Sequence, residues 1–261
     1  MKIPFSKYHG TGNDFIIIDN RELQWKPNQE EIARLCNRHL GIGADGLMLL
    51  SDKPGVDFYM TYYNSDGRES TMCGNGGRCM IIFARSLALA GSETHFQAID
   101  GEHRGKVIQT KDFINVSLKM KDVIVDEIES DHLFLNTGSP HYVIFSNEVE
   151  TLDIVAEGKK IRFNSRFRKE GTNVDFVEIS NDHIFVRSYE RGVEDETLSC
   201  GTGVTASALA YAIENPARQS PVEIQTRGGK LKVYFKQEGI SFTDIWLEGP
   251  ATFVFQGTAI I

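Results

Sequence analysis

Cys73-Gly74-Asn75-Gly76 and Cys200-Gly201-Thr202-Gly203 stand 127 positions apart, close to half of a 261-residue chain. Each leads into a run of small and apolar residues, the first ending at Gly91 and the second at Asn215-Pro216. Other landmarks keep nearly that spacing, in the same order. Gly12 in Thr11-Gly12-Asn13-Asp14 lies 126 before Gly138 in Thr137-Gly138-Ser139-Pro140, and Tyr63-Asn64 lies 126 before Tyr189-Glu190. The Ala44–Leu50 run lies 130 before the run that starts at Val174. One such pairing is a coincidence, but an ordered series is the mark of a duplicated half. The chain therefore has to fold as two related units.

Each half reads as several short strands with one dominant helix. Alternating or β-branched runs predict strands at 14–18, 47–50, 58–63, 113–118, 142–145, 174–179, 183–189, 221–225, 230–235 and 242–247. Gly228-Gly229 marks a hairpin turn between two of them. The runs 79–90 and 204–213 predict helices apolar on nearly every side, which must be buried. The expected class is α/β (α+β): two similar pseudo-symmetric domains, each a mostly antiparallel curled sheet or barrel around a buried central helix. Charge rises at Lys119, Lys121, Asp122, Asp126 and Glu127. That places the expected halves at 1–120 and 121–249, with the active site in the cleft between them.

Composition removes several function classes. Hydrophobic residues make up 41% and charged residues 25%, ordinary values for a chain that buries a core. The net charge of −8 argues against broad contact with nucleic acid or an anionic membrane. No apolar run approaches the roughly 20 residues that span a bilayer, and Met1-Lys2-Ile3-Pro4-Phe5 begins no apolar leader. Four cysteines in a chain of this length point to a reducing cytoplasm rather than a disulfide scaffold.

Both Cys-Gly-x-Gly turns sit where strand-rich sequence gives way to a buried helix. A helix N-terminus has unsatisfied N–H groups and a partial positive charge, so it binds a carboxylate and draws a thiol pKa down. Two copies in a duplicated chain place two thiols around one anion-binding point. Inverting a carbon centre needs a group on each face, one to remove a proton and one to deliver it. The amides of Gly74, Asn75, Gly201 and Thr202 would stabilise charge developing on an α-carboxylate. Nothing in the sequence calls for an organic cofactor or a metal.

At this point the residues carry a resemblance. His9-Gly10-Thr11-Gly12-Asn13-Asp14-Phe15, Gly41-Ile42-Gly43-Ala44-Asp45-Gly46, Asn64-Ser65-Asp66-Gly67, Met72–Cys79, Tyr189-Glu190-Arg191-Gly192 and Ser199–Gly203 together resemble the diaminopimelate epimerase family, in the family's order. The resemblance runs from residue 5 to Leu247-Glu248-Gly249-Pro250-Ala251. It implies a cofactor-independent two-base isomerase that interconverts LL- and meso-diaminopimelate for lysine and peptidoglycan synthesis. It also implies a last strand at 250–261 that returns to the first, and a homodimer. By position, Cys73 and Cys200 match the acid–base pair, with Cys73 the donor and Cys200 the acceptor in the LL-to-meso direction. Asn13, Asn64, Asn173, Glu190 and Arg191 match substrate contacts, Arg191 on the distal carboxylate. His141 and Glu190 match the groups thought to adjust the thiol pKa.

Two positions depart from the family pattern: Ser139 stands where Asn is frequent, and Gly46 where some branches have Gln. The shorter Ser139 is expected to lose one distal hydrogen bond or pass it through water. Other signals carry less. Gly10-x-Gly12 precedes its strand, so a dinucleotide fingerprint fails on context. Cys73 and Cys79 are spaced onto different helix faces, against a zinc pair. Cys36 reads as a helix core residue, and Arg166-Phe167-Arg168-Lys169 as a solvated loop. The alternatives are a racemase or epimerase of another amino acid, such as histidine or hydroxyproline, a non-catalytic amino-acid-binding protein, and a thiol redox protein.

Overall fold

The computed structural model of the chain describes residues 1–110, 114–218 and 220–261. Phe113, the first residue of the strand predicted at 113–118, lies outside the described residues. The chain divides into one unit of Met1–Leu118 with Gly249–Ile261 and another of Lys119–Glu248.

In the first unit β1 (Lys2–Gly10) and β2 (Asn13–Asp19) form a hairpin, and α1 (Gln29–Cys36) crosses to β3 (Gly46–Ser51), parallel to β2. β4 (Phe58–Asn64) returns antiparallel and carries the short β5 (Glu69–Ser70). After α2 (Gly74–Ser86), β6 (Glu93–Ala98) runs parallel to β4, followed by antiparallel β7 (Gly101–Gln109) and β8 (Ile114–Lys119).

The second unit repeats this. Its strands β9 (Val123–Ile128), β10 (Leu133–Asn136) and β11 (Pro140–Phe145) lead through α3 (Ile154–Arg162) to β12 (Asn173–Ile179), parallel to β11. β13 (Ile184–Glu190) returns antiparallel with the short β14 (Asp195–Thr197) beside it. After α4 (Gly201–Glu214), β15 (Val222–Thr226) runs parallel to β13, followed by β16 (Gly229–Glu238) and β17 (Ser241–Pro250). The final strand, β18 (Thr252–Ile260), lies antiparallel along β1 with Ile260 opposite Lys2.

The duplication is visible in the pairing. From β18 through β1, β2, β3, β4, β6 and β7 to β8, neighbours run antiparallel, antiparallel, parallel, antiparallel, parallel, antiparallel, antiparallel. The same series runs from β9 through β10, β11, β12, β13, β15 and β16 to β17. In the second unit β17 then closes on β9, Ser241 opposite Ile124. β3 and β12 start 127 residues apart, so the 130-residue offset read for that pair of runs is three residues too long.

The central helix of each unit is placed by its small residues. α4 packs against β10, β11, β12, β13, β15 and β16, and its residues from Gly203 to Ala212 are buried. α2 packs against β1, β2, β3 and β7. It spans Gly74–Ser86 rather than the predicted 79–90. Its start is earlier because the glycines tuck beneath neighbours: a β-carbon at Gly77 would lie 3.0 Å from Met72 Sδ. Its end is earlier because Ala88 takes a left-handed φ of 57°, and the apolar run 87–90 is spent on the turn.

Gly228 lies in the two-residue turn between Thr226 and Gly229, which are paired as the hairpin signal predicts. Cys36 is buried at the end of α1, as read. The Arg166–Lys169 segment is a turn with Arg166, Arg168 and Lys169 exposed, as read, and only Phe167 departs from that reading. Phe167 is buried, and Arg166 stacks over it and Phe134 while its guanidinium grips Glu127 at 2.6 and 2.9 Å. An aromatic neighbour and a carboxylate opposite thus anchor Arg166, while the rest of the basic run stays exposed.

Candidate active site

In the first unit Cys73 is the N-cap of α2, with φ −92° and ψ 132°. Its thiol points at Asn13 Oδ1, 3.6 Å away, at the start of β2. Which way the Asn13 amide faces is settled by its other end. Asn13 Nδ2 donates to Asp45 Oδ2 at 2.8 Å, and a carboxylate can only accept. Asn13 Oδ1 is thereby left for Cys73 and for Asn75 Nδ2, 3.3 Å away. The buried Asn75 is held from behind by Arg78, whose Nη2 donates to Asn75 Oδ1 at 2.8 Å. Arg78 is itself fully buried and also reaches the Gly74 carbonyl at 3.4 Å. Asn64 ends β4, exposed, and its described hydrogen bonds run through the backbone to Arg68 and Gly67.

In the second unit Cys200 is the N-cap of α4, with φ −104° and ψ 115°. Its thiol lies 3.5 Å from Thr202 Oγ1, and the Thr202 carbonyl is fixed by Thr137 at 2.9 Å. Gly201 O accepts from Thr205 Oγ1 at 2.9 Å. Glu190 ends β13, the place that Asn64 takes on β4, and its carboxylate accepts from the Thr197 hydroxyl. His141 on β11 faces Asn173 on β12, and both are buried. Asn173 Oδ1 accepts from the Arg191 N–H at 2.8 Å, while its Nδ2 donates to Ser139 Oγ at 3.0 Å and faces His141 Nε2 at 3.3 Å. Arg191 is exposed, anchored through Nη1 on Glu170 O at 2.8 Å, with Nη2 3.5 Å from Ser139 Oγ. Ser139 is thus tied into the Asn173–Arg191 cluster.

The sequence-predicted residues therefore gather in two groups, Asn13, Cys73, Gly74 and Asn75 in one unit and Ser139, His141, Asn173, Glu190, Arg191, Cys200, Gly201 and Thr202 in the other. Three supporting residues were missed. Asp45 lies inside the Gly41–Gly46 motif, and Arg78 follows the glycines of α2. Asp175 is an ionisable residue inside a β-branched run, a signal that could have been read. It is fully buried, with Oδ2 2.6 Å from His141 Nδ1 and Oδ1 accepting from Ser188 Oγ at 2.6 Å.

The expected effect of the helix N-terminus on the thiol is overturned for Cys200. Burial pushes this thiol well above the ordinary range, and the Glu190 and Asp175 carboxylates push the same way; the Thr202 hydroxyl and the Gly203 amide oppose them and lose. Desolvation also raises the Glu190 carboxyl, against hydrogen bonds from Thr197 and the Cys200 thiol. Cys36 and Cys79 are pushed up to about 12 by burial, as expected of structural thiols.

A family model described as diaminopimelate epimerase matches residues 5–116 and 133–254. A diaminopimelate epimerase of Flavobacterium psychrophilum is 50% identical over 254 residues, covering 97% of this chain and 98% of that one. One from Aquifex aeolicus is 37% identical, covering 97% and 96%. Among solved structures, a phenazine biosynthesis protein of the PhzF family from Bacillus anthracis superposes with a TM-score of 0.76 at 14% identity, over 100% of both chains. A hydroxyproline epimerase from Agrobacterium vitis gives 0.75 at 12% identity, over 99% of this chain and 92% of that one. These two likenesses establish the shared fold.

Proposed function

The chain belongs to the diaminopimelate epimerase family, and from that premise we propose that it inverts the α-carbon of LL-2,6-diaminopimelate to give the meso form, with Cys73 and Cys200 as its acid–base groups. The observation that carries the assignment is one cysteine at the N-cap of the central helix in each of two duplicated units. In the LL-to-meso direction Cys200 takes the Cα proton and Cys73 delivers one to the opposite face. Cys200 at rest favours the thiol, so turnover in this direction first moves that proton off the sulfur. The Glu190 carboxylate interacts with the thiol and has a raised pKa of its own, which suits it to receive the proton. The first-turn amides at Gly74, Asn75, Gly201 and Thr202 serve the α-carboxylate as charge builds on it, and Arg191 takes the distal carboxylate. The product feeds lysine and peptidoglycan synthesis. This reading calls on no cofactor.

Among the described residues no helix is long and apolar enough to cross a membrane. We propose a cytoplasmic location, which the low cysteine content of the chain supports. A homodimer is the assembly we propose, its contact being β18, which leaves Phe253, Val254, Phe255 and Ile260 exposed on the strand that covers β1. Light scattering in solution tests it, and a monomeric mass refutes it.

The activity is tested by Cα proton exchange in deuterated water, scanned across LL-diaminopimelate, L-histidine and hydroxyproline. Exchange and inversion of the first alone is expected. Turnover of either other substrate instead transfers the assignment to another amino-acid racemase.

A further inference from the structure

The titratable groups around Cys200 come from neighbouring strands: Glu190 from β13, Asp175 from β12 and His141 from β11, while the first turn of α4 carries no acidic residue. Asp175 touches neither Cys200 nor solvent through a hydrogen bond among the described residues. Its two oxygens are consumed by His141 Nδ1 and Ser188 Oγ, each at 2.6 Å. A buried carboxylate with no Lys or Arg paired to it among the described residues is costly to hold, so its place needs a reason.

The hydrogen-bond pattern supplies a charge state. Asn173 Oδ1 is committed to the Arg191 N–H, so Nδ2 is the atom that faces His141 Nε2. An amide nitrogen donates, and Nε2 must therefore accept. The imidazole proton then sits on Nδ1 and is donated to Asp175, which remains an anion beside a neutral ring. An imidazolium would set N–H against N–H at Asn173.

The first unit shows that the fold does not require this arrangement. Gly76 holds in α2 the place that Gly203 holds in α4, third after the cysteine. A β-carbon at Gly76 would meet Met48 Sδ at 3.1 Å and Phe15 Cζ at 3.5 Å. A β-carbon at Gly203 would meet Asp175 Oδ1 at 2.3 Å. The same helix turn rests on a thioether and a phenyl ring in one unit, and on a carboxylate in the other. The helix could be supported by apolar contacts in both.

We infer that Asp175 is a positioning residue for the Cys200 half-site, holding His141 as its Nδ1–H tautomer and keeping a negative charge beneath the α4 N-terminus. The inference rests on the proposed role of Cys200 as an acid–base group. It makes the two half-sites unequal by construction: the first turn of α4 rests on an anion and that of α2 on apolar atoms. It also assigns a use to Gly203, since any side chain there would displace the carboxylate.

The test reads the thiol directly. In protein carrying ¹³Cβ-cysteine, the Cys200 signal is assigned with Cys200→Ser and titrated in wild type, in Asp175→Asn, and in the double variant His141→Phe/Asp175→Met, which copies the pair used under α2. Removing the anion is expected to lower the Cys200 midpoint by about one pH unit or more. In the meso-to-LL direction, where Cys200 must carry the proton it delivers, the alkaline limb of the rate profile is expected to move down with the thiol while KM stays within about 3-fold. An unchanged Cys200 midpoint in a folded variant overturns the inference, as does failure of both variants to fold, which would make the pair a folding element. If wild type lacks epimerase activity, the proposed function falls while the titration still judges Asp175.

Discussion

A β-carbon at position 203 would lie 2.3 Å from Asp175 Oδ1, and Asp175 has nowhere to retreat because His141 and Ser188 hold both its oxygens. The same addition at Gly76 meets Met48 Sδ at 3.1 Å, the flexible part of a methionine that can give way. Gly203→Ala is therefore expected to lose roughly 1–3 kcal/mol by overpacking. Gly76→Ala is expected to be within about 1 kcal/mol of wild type, since alanine's helix propensity offsets a small repacking cost. Urea unfolding of the two variants side by side checks the contrast. Equal losses would mean that Asp175 is freer to move than its hydrogen bonds indicate.

Cys73→Ala and Cys200→Ala are each expected to abolish inversion, because each face of the carbon needs its own group. Loss of a general acid or base costs about 10²-fold or more. Epimerisation above about 10% of wild type in either variant refutes the two-base assignment. Proton exchange separates the roles further: the variant that keeps the accepting thiol for a given isomer can still wash out that isomer's Cα proton without inverting it.

The duplication was legible because the same Cys-Gly-x-Gly sequence opens the central helix of each unit, 127 residues apart. Strands that alternate cleanly, such as β15 and β16, were legible because one face is buried and the other is not. Strand β7 was not, because Gly101–Gln109 is largely polar, buries only Gly105, and is paired with β6 and β8 by backbone. Helix α3 was hidden by Gly158, which looks like a break but lies where a β-carbon would meet the Tyr189 side chain at 2.5 Å. Strand β18 was legible only through the family resemblance. At the site, the cysteines and amide side chains could be named in advance. Asp175 could have been flagged as an ionisable residue in a β-branched run, but its placement against His141 could not, since that depends on strand register.

Arg191→Leu is expected to raise KM for diaminopimelate about 10–150-fold, the worth of a charged hydrogen bond of roughly 1.5–3 kcal/mol. Folding should hardly change, because the side chain is exposed and its described anchors are the Glu170 carbonyl and the Ser139 hydroxyl. Steady-state kinetics with LL-diaminopimelate, alongside a melting curve, is the check. An unchanged KM removes Arg191 from the substrate and favours a monocarboxylic amino acid in its place.

Asp14 joins two cations in the first unit: Lys7 Nζ at 2.8 Å, nearly buried, and Arg38 Nη2 at 2.8 Å, which also holds Asp45. Burial alone would raise the Asp14 carboxyl, but hydrogen bonds from Arg38 and Lys7 outweigh it and hold the group well below the carboxylate range. A pKa depressed on folding contributes stability above the unfolded value, about 3.9, and that contribution is lost as pH falls through the folded one. Asp14→Asn is therefore expected to cost about 2–3 kcal/mol at pH 7, part of it from leaving Lys7 without its anion. The gap to wild type should hold down to about pH 5 and narrow as the solution is acidified below about pH 4. Glu157→Gln, which breaks an exposed pair with Lys160, is the control and should change stability by less than about 0.5 kcal/mol. Urea unfolding at several pH values measures both. A gap that stays constant into acid would show that Asp14 acts through packing rather than charge.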